Sequence, residues 1–287
     1  MSKRKVIAAL LCMVFLVATV VGCGGDSADK KTAKILYVEW ACATATSHVV
    51  AEVLESKLGY DVELVPVTAA AMYEGLAGGS GDATFCSWLP VTHKEYMDKM
   101  GDRVENLGVN MEGAKLGLTV PEYVTINSID ELNGVKDRFD GKIIGIDPGA
   151  GIMGLTEQAI EDYQLDYELV EGSDSTMTAA LKKAIDNQDW VVVTGWTPHW
   201  KFARWDLKFL EDPKLSLGEE EQLNTVVRRG LKEDMPDAYE FFDKFRWTSD
   251  DLANAIVMAE DMGDSEEAAA KWVEENEELV NSWLPKD

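Results

Sequence analysis

The chain has 287 residues and a formal net charge of −25, with 52 acidic against 27 basic side chains. A surface of that sign repels nucleic acid and anionic lipid headgroups, so neither is an expected partner. The length suits one large domain or two modest ones around a sizeable core. Lys3, Arg4 and Lys5 precede an apolar run from Val6 to Val21 that ends Val20-Val21-Gly22-Cys23. A basic start, an apolar middle and small residues at the cut predict a secretory signal peptide over 1–22. A spanning helix would need roughly 20 apolar residues and different flanks.

The Val-Val-Gly-Cys ending resembles the bacterial lipoprotein processing box, which implies a mature chain beginning at Cys23 with lipid on its thiol. Loss of 1–22 removes three basic side chains and no acids, and the polar, Gly-containing stretch 23–33 reads as a flexible tether. The expected location is extracytoplasmic, on the outer face of the cell membrane or in a periplasm, with the lipid as the membrane contact. Cys12 leaves with the signal peptide. Cys42 and Cys86 remain beside predicted strand ends, either as a disulfide, which export permits, or as two buried thiols.

From Lys34 strands alternate with helices: a strand at Ile35–Val38, a helix at Ser47–Leu58, a strand at Tyr60–Val67, a helix at Ala69–Ala77, then the apolar run into Trp88. The order repeats with a strand at Lys142–Ile146, a helix at Ile152–Tyr163, a strand at Tyr167–Val170, a helix at Met177–Ile185 and a strand at Trp190–Thr194. GYDVELVPVTAAAMYEGL and QLDYELVEGSDSTMTAAL share a strand, a small-residue turn and a Met-bearing helix start. Strands joined by helices of this length imply parallel pairing through crossovers. The reading is an α/β protein of two similar lobes, lobe I over 34–119 plus 226–287 and lobe II over 120–225. The apolar runs Gly117–Tyr123 and Leu223–Arg229 are the expected crossings, able to serve as a hinge. Helices follow at Pro236–Phe245, Ser249–Met262 and Ser265–Trp283, with Thr248 and Asp264 at cap positions.

Open α/β sheets bind ligands beyond the carboxyl ends of their strands. Trp40, Trp88 and Trp196 each stand at such an end, and if the lobes face each other the three rings can converge. Any one of them also fits core packing; their shared placement is what points to a site. Indole faces attract cations that are diffuse and poorly hydrated, quaternary ammonium groups above all. The turn Asp147-Pro148-Gly149-Ala150-Gly151-Ile152-Met153 follows a strand and opens a helix, so the N–H groups of Gly151 and Ile152 should face outward and favour an anion. His93 can add a further N–H donor. A cation cage with an anion nest describes a small betaine. The spacing of His48, His93 and His199 fits no metal site, and neither a dinucleotide fingerprint nor a P-loop is present, so no metal or cofactor is expected. Cys86 with His93 matches no nucleophile signature, and no catalytic residue is assigned. The acid run Glu219-Glu220-Glu221 reads as a solvated face.

The segments SWLPVTHKEY, IIGIDPGAGIMGLTEQAI and VVVTGWTPHWKFARWDLKFLEDP look like the glycine betaine substrate-binding proteins of osmoprotective ABC importers. That resemblance implies a type II periplasmic-binding-protein fold with the ligand between lobes, acting as a monomer with a permease and its ATPase. The family's tryptophan cage falls on Trp40, Trp88 and Trp196, and its carboxylate contacts on the Gly151 and Ile152 backbone and on His93. After the first cage tryptophan the family often has W-D-S-E-I-A-S, where this chain reads Trp40-Ala41-Cys42-Ala43-Thr44-Ala45-Thr46-Ser47. Choline-selective relatives resemble W-x-D there, and Cys42 cannot supply that carboxylate. Glycine betaine is therefore the expected ligand. Carnitine, or a choline-type ligand, is the alternative within binding proteins; a bilobal surface enzyme acting on such a solute is the alternative from another class, with His93 as its one acid/base candidate.

Overall fold

The computed structural model describes residues 31–286. The expected signal peptide, Cys23 and most of the tether lie outside the described residues. Strand β1 (Thr32–Tyr37) leads into helix α1 (Ala41–Leu58), β2 (Asp61–Pro66), α2 (Ala69–Ala77), β3 (Ala83–Leu89) and α3 (Lys94–Met100). The long β4 (Val104–Pro121) carries the chain into β5 (Lys142–Ile144), α4 (Gly151–Asp162), β6 (Glu168–Val170), α5 (Asp174–Asn187), β7 (Val193–Thr197), α6 (Trp200–Arg204) and β8 (Leu207–Phe209). Strand β9 (Glu221–Arg228) returns, and α7 (Leu231–Asp234), α8 (Pro236–Lys244), α9 (Ser249–Met262), α10 (Ser265–Glu275) and α11 (Glu277–Trp283) end the chain.

The strands run in the order β2-β1-β3-β9-β4-β7-β5-β6, with β8 paired to β4. Two parallel triplets, β2-β1-β3 and β6-β5-β7, are the repeated units expected from the sequence. Both are joined by antiparallel β9 and β4. Strand β4 belongs to both halves: it pairs with β9 up to Ala114 and with β7 from Lys115. Its pairing with β9 shifts register between Met111 and Ala114, and Gly113 there adopts φ 80°, which a side chain would strain. The bulge turns one strand from one sheet to the other. The expected crossing runs thus lie in paired strands, Gly117–Pro121 in β4 and Leu223–Arg228 in β9.

Several boundaries move for local reasons. Helix α1 starts at Ala41, six residues before the expected start at Ser47, although no side chain caps it. The Ala41 N–H is met instead by the Asp174 carboxylate at 3.0 Å, a partner 133 residues away. Helix α5 starts at Asp174 rather than Met177 because Ser173 and Thr176 form a reciprocal capping box. The expected final helix divides at Asn276, whose backbone leaves the helical region at φ −122°. Thr248 and Asp264 cap α9 and α10 as anticipated. One hydrophobic cluster runs from β1 and α1 through the strand-end tryptophans to Trp272 and Trp283, and a second fills the far half around Leu118, Ile129 and Val192. The C-terminal helices return to the first half, where α9 and α10 pack on α1 and Phe242 meets the Phe85 ring edge-on at 4.9 Å. Among the described residues no helix is long and apolar enough to cross a membrane.

Candidate functional site

Trp88 is the sixth residue of β3, and the chain beyond it must turn sharply to reach α3. Glu221, at the start of β9, fastens that turn. Its carboxylate accepts the Val91 N–H at 2.8 Å, the Thr92 N–H at 2.9 Å and the Thr92 hydroxyl. Expected on a solvated acidic face, Glu221 is buried, while Glu219 and Glu220 are exposed. A carboxylate can occupy that position because three donors replace its water.

The turn brings His93 back onto its own strand. Its Nδ1 accepts the Trp88 N–H at 3.1 Å, so the neutral ring carries its proton on Nε2. The Tyr73 hydroxyl lies 3.1 Å from the same Nδ1. Burial lowers His93 to about 3, so the ring is neutral at physiological pH, and Nε2 has no protein partner. The sequence left the charge of this donor open; desolvation decides it.

Trp40 stands three residues past β1, at the cap position of α1, and is anchored from the opposite half, its indole N–H donating to Asp147 Oδ2 at 2.9 Å. Its ring lies 5.7 Å from the His93 ring at 34°. Asp147 begins the Gly-rich turn before α4. That turn is held across the halves a second time, where the Tyr96 hydroxyl donates to the Gly149 carbonyl at 2.8 Å. A Cβ on Gly151 would fall 2.3 Å from the Thr92 carbonyl and 2.5 Å from its methyl, so only glycine permits this approach. Gly151 and Ile152 occupy the first two positions of α4, where backbone N–H groups have no partner within the helix.

Trp196 lies in β7 and packs edge-on against His199 at 4.8 Å. His199 Nδ1 accepts the Lys201 N–H at 3.1 Å, and Nε2 is 2.9 Å from Asp174 Oδ1. Burial, then the neighbouring Lys201 charge, lowers His199 to about 4 against the pull of Asp174, so a neutral imidazole donates Nε2–H to the carboxylate. For Asp174 burial acts upward, but His199, Lys201 and the Ala41 N–H outweigh it and hold the carboxyl below its usual range.

Trp40, Trp88, Trp196, His93, Gly151 and Ile152 all border one pocket, with Cys42, Thr92, Leu116, Ile146 and Ala150 completing its wall. The space among these residues, counted out into open solvent, is about 280 Å³. Among the described residues no carboxylate lines it, and its donors are the Nε2–H of His93 and the N–H groups at the start of α4. Cys42 and Cys86 are free thiols with sulfurs 3.3 Å apart, and burial, then the Cys42 sulfur, pushes Cys86 upward. Asp147, Asp174 and Glu221 were not assigned from sequence. Asp147 stood inside the singled-out turn, but partners 107 to 133 residues distant leave no local pattern.

Similarity to known proteins follows the same outline. The chain is 44% identical over 162 residues to the glycine betaine/carnitine transport binding protein GbuC of Listeria monocytogenes, a match covering 55% of this chain and 54% of that protein. The chain thus spans about half the length of this curated relative. The crystal structure of the glycine betaine, L-proline ABC transporter binding protein ProX from Borrelia burgdorferi superposes with a TM-score of 0.85 at 43% identity, covering 89% of this chain and 97% of that one. Lactococcal OpuAC in its closed-liganded conformation with glycine betaine also superposes at 0.85, with 37% identity over 89% and 100% of the two chains. These neighbours share the type II periplasmic-binding-protein architecture. Residues 31–275, from the lead into β1 to the end of α10, match the substrate-binding domain of ABC-type glycine betaine transport systems, and the chain belongs to that family.

Proposed function

We propose that this protein is the extracytoplasmic binding component of an ABC importer and captures glycine betaine. Trp40, Trp88 and Trp196 take the quaternary ammonium, and His93 Nε2–H with the Gly151 and Ile152 N–H groups takes the carboxylate. The carrying observation is the chemistry of the pocket wall: three indoles, neutral donors and, among the described residues, no carboxylate. An N–H-bearing cation would lose its hydrogen-bond acceptors there, whereas a trimethylammonium group has none to lose. Each ring contributes about 0.5–2 kcal/mol when the cation is desolvated. Each buried donor left unpaired costs about 1–3 kcal/mol, which favours a ligand with an anionic end. The first half over 34–119 with 226–287 and the second over 120–225 act as lobes that close on the ligand. Cys23 carries the lipid, and a permease with its ATPase receives the solute from the monomer.

Carnitine is the second reading, favoured by the name of the Listeria relative and by the same two poles on a longer chain. Choline offers no anion to the donors. Calorimetry of the mature chain with glycine betaine, carnitine and choline tests the reading, followed by analysis of the recovered ligand. Saturable binding of glycine betaine, weaker choline and unaltered ligand are the expected results. Absence of betaine binding sinks the proposal, and turnover of the solute replaces it with an enzyme.

A further inference from the structure

Lys201 is the most unusual side chain near the pocket. It is completely buried, its Nζ has no hydrogen-bond partner, and it stands 4.0 Å from the centre of the Trp196 ring. The pocket is bordered by Trp196 and not by Lys201, so the ammonium takes a position on this indole away from the ligand space. The ionisable groups facing it are Asp174 at the start of α5, Cys42 in the first turn of α1 and His199 on its own turn. Phe202 lies 5.8 Å from the Nζ. Asp174 is occupied by His199 and by the Ala41 N–H, and among the described residues no ion pair within 4 Å compensates the lysine.

We propose that Lys201 sets the affinity of the cation cage from outside it, because its ammonium and the ligand's quaternary ammonium compete for the same indole. A positive charge on one side of the ring draws π density toward itself and repels a second cation across it. The ligand's carboxylate, held at His93 and the start of α4, offsets only part of that repulsion. The cage is therefore strongest when Lys201 is neutral. Burial, against the pull of Asp174 and Cys42, brings Lys201 down to about 8, so its charge changes within an accessible range. By linkage, bound ligand lowers the proton affinity of Lys201 by the same factor that deprotonation raises ligand affinity.

This inference rests on the glycine betaine reading above, and the experiment separates the two. Calorimetric affinity for glycine betaine is compared at pH 6.5 and 9.5 in the wild type and in Lys201→Met, which keeps the length and removes the charge. The wild type is expected to tighten by about 3- to 10-fold with rising pH, and Lys201→Met to bind alike at both. His93 and His199 titrate far below this window. A slope that survives in Lys201→Met would belong to another group and overturns the inference. So does a flat wild-type profile in a protein that binds betaine. If betaine does not bind at any pH, the ligand reading fails and this inference with it. Should Lys201→Met not fold, NMR titration of the wild-type lysine Cε and Nζ signals decides: the Lys201 pKa is expected to drop by about half a unit or more on saturation, and an unmoved value overturns the proposal.

Discussion

At the end of β3, Trp88 gives its backbone N–H to His93 Nδ1; at the end of β7, Lys201 gives its own to His199 Nδ1. Both corners carry a tryptophan, a cis X-Pro bond and a buried neutral imidazole with its proton on Nε2. They diverge at that proton. His93 Nε2 stays unpaired beside the pocket, while His199 Nε2 is spent on Asp174, which also receives the Ala41 N–H from the opposite half. A free donor is open to a ligand, and a satisfied one holds structure. The same local motif thus leaves its proton unpaired beside the pocket in one half and ties the two halves together in the other, according to whether a carboxylate stands within reach.

The largest effect separating recognition from structure should come from pH. Both imidazoles are held below their ordinary value of 6.5, to about 3 and about 4. The unfolded chain takes up protons below pH 6.5 that the native chain refuses, so stability is full above 6.5 and falls as the pH drops toward those values. Two such groups imply a loss of about 3–4 kcal/mol between pH 7 and pH 5. Urea unfolding at the two pH values measures it, and His93→Gln should roughly halve the loss. An unchanged midpoint would mean that the rings are not buried neutral.

A smaller effect tests whether the two tryptophans are equivalent. Trp88→Ala and Trp196→Ala should each weaken glycine betaine binding by about 1–3 kcal/mol through lost cation–π attraction and burial. Unchanged calorimetric affinity in both variants removes the cage. The smallest contrast is between the imidazoles. His93→Ala should cost glycine betaine about 1 kcal/mol and leave choline nearly unaffected, because only betaine presents a carboxylate to Nε2–H. Equal losses for the two ligands would take His93 out of the anion site.

The repeated strand-and-helix units were legible because periodicity and turn residues are local. The two segments sharing a Met-bearing helix start become β2-α2 and β6-α5, in matching parallel triplets. What was illegible depended on distant partners. Six residues of small side chains after Trp40 show no amphipathic stripe, yet they are helical once Asp174 receives the first N–H. Glu221 resembles Glu219 and Glu220 in sequence and differs only in what surrounds it.

The chain alone determined which chemistry was present: indoles near strand ends, a glycine turn opening a helix, a histidine five residues beyond Trp88, and no acidic residue in the segment directly after Trp40. Tertiary structure decided how that chemistry is poised. It brought Gly151 against the Thr92 carbonyl, joined Trp40 to Asp147 and enclosed a lysine against Trp196. Side-chain type and spacing are properties of a sequence, whereas desolvation and the partnering of one proton depend on which elements the fold packs around a residue. Burial sets the charge of His93, and the fold adds Asp174 and Cys42 to the neighbouring Trp196 around Lys201.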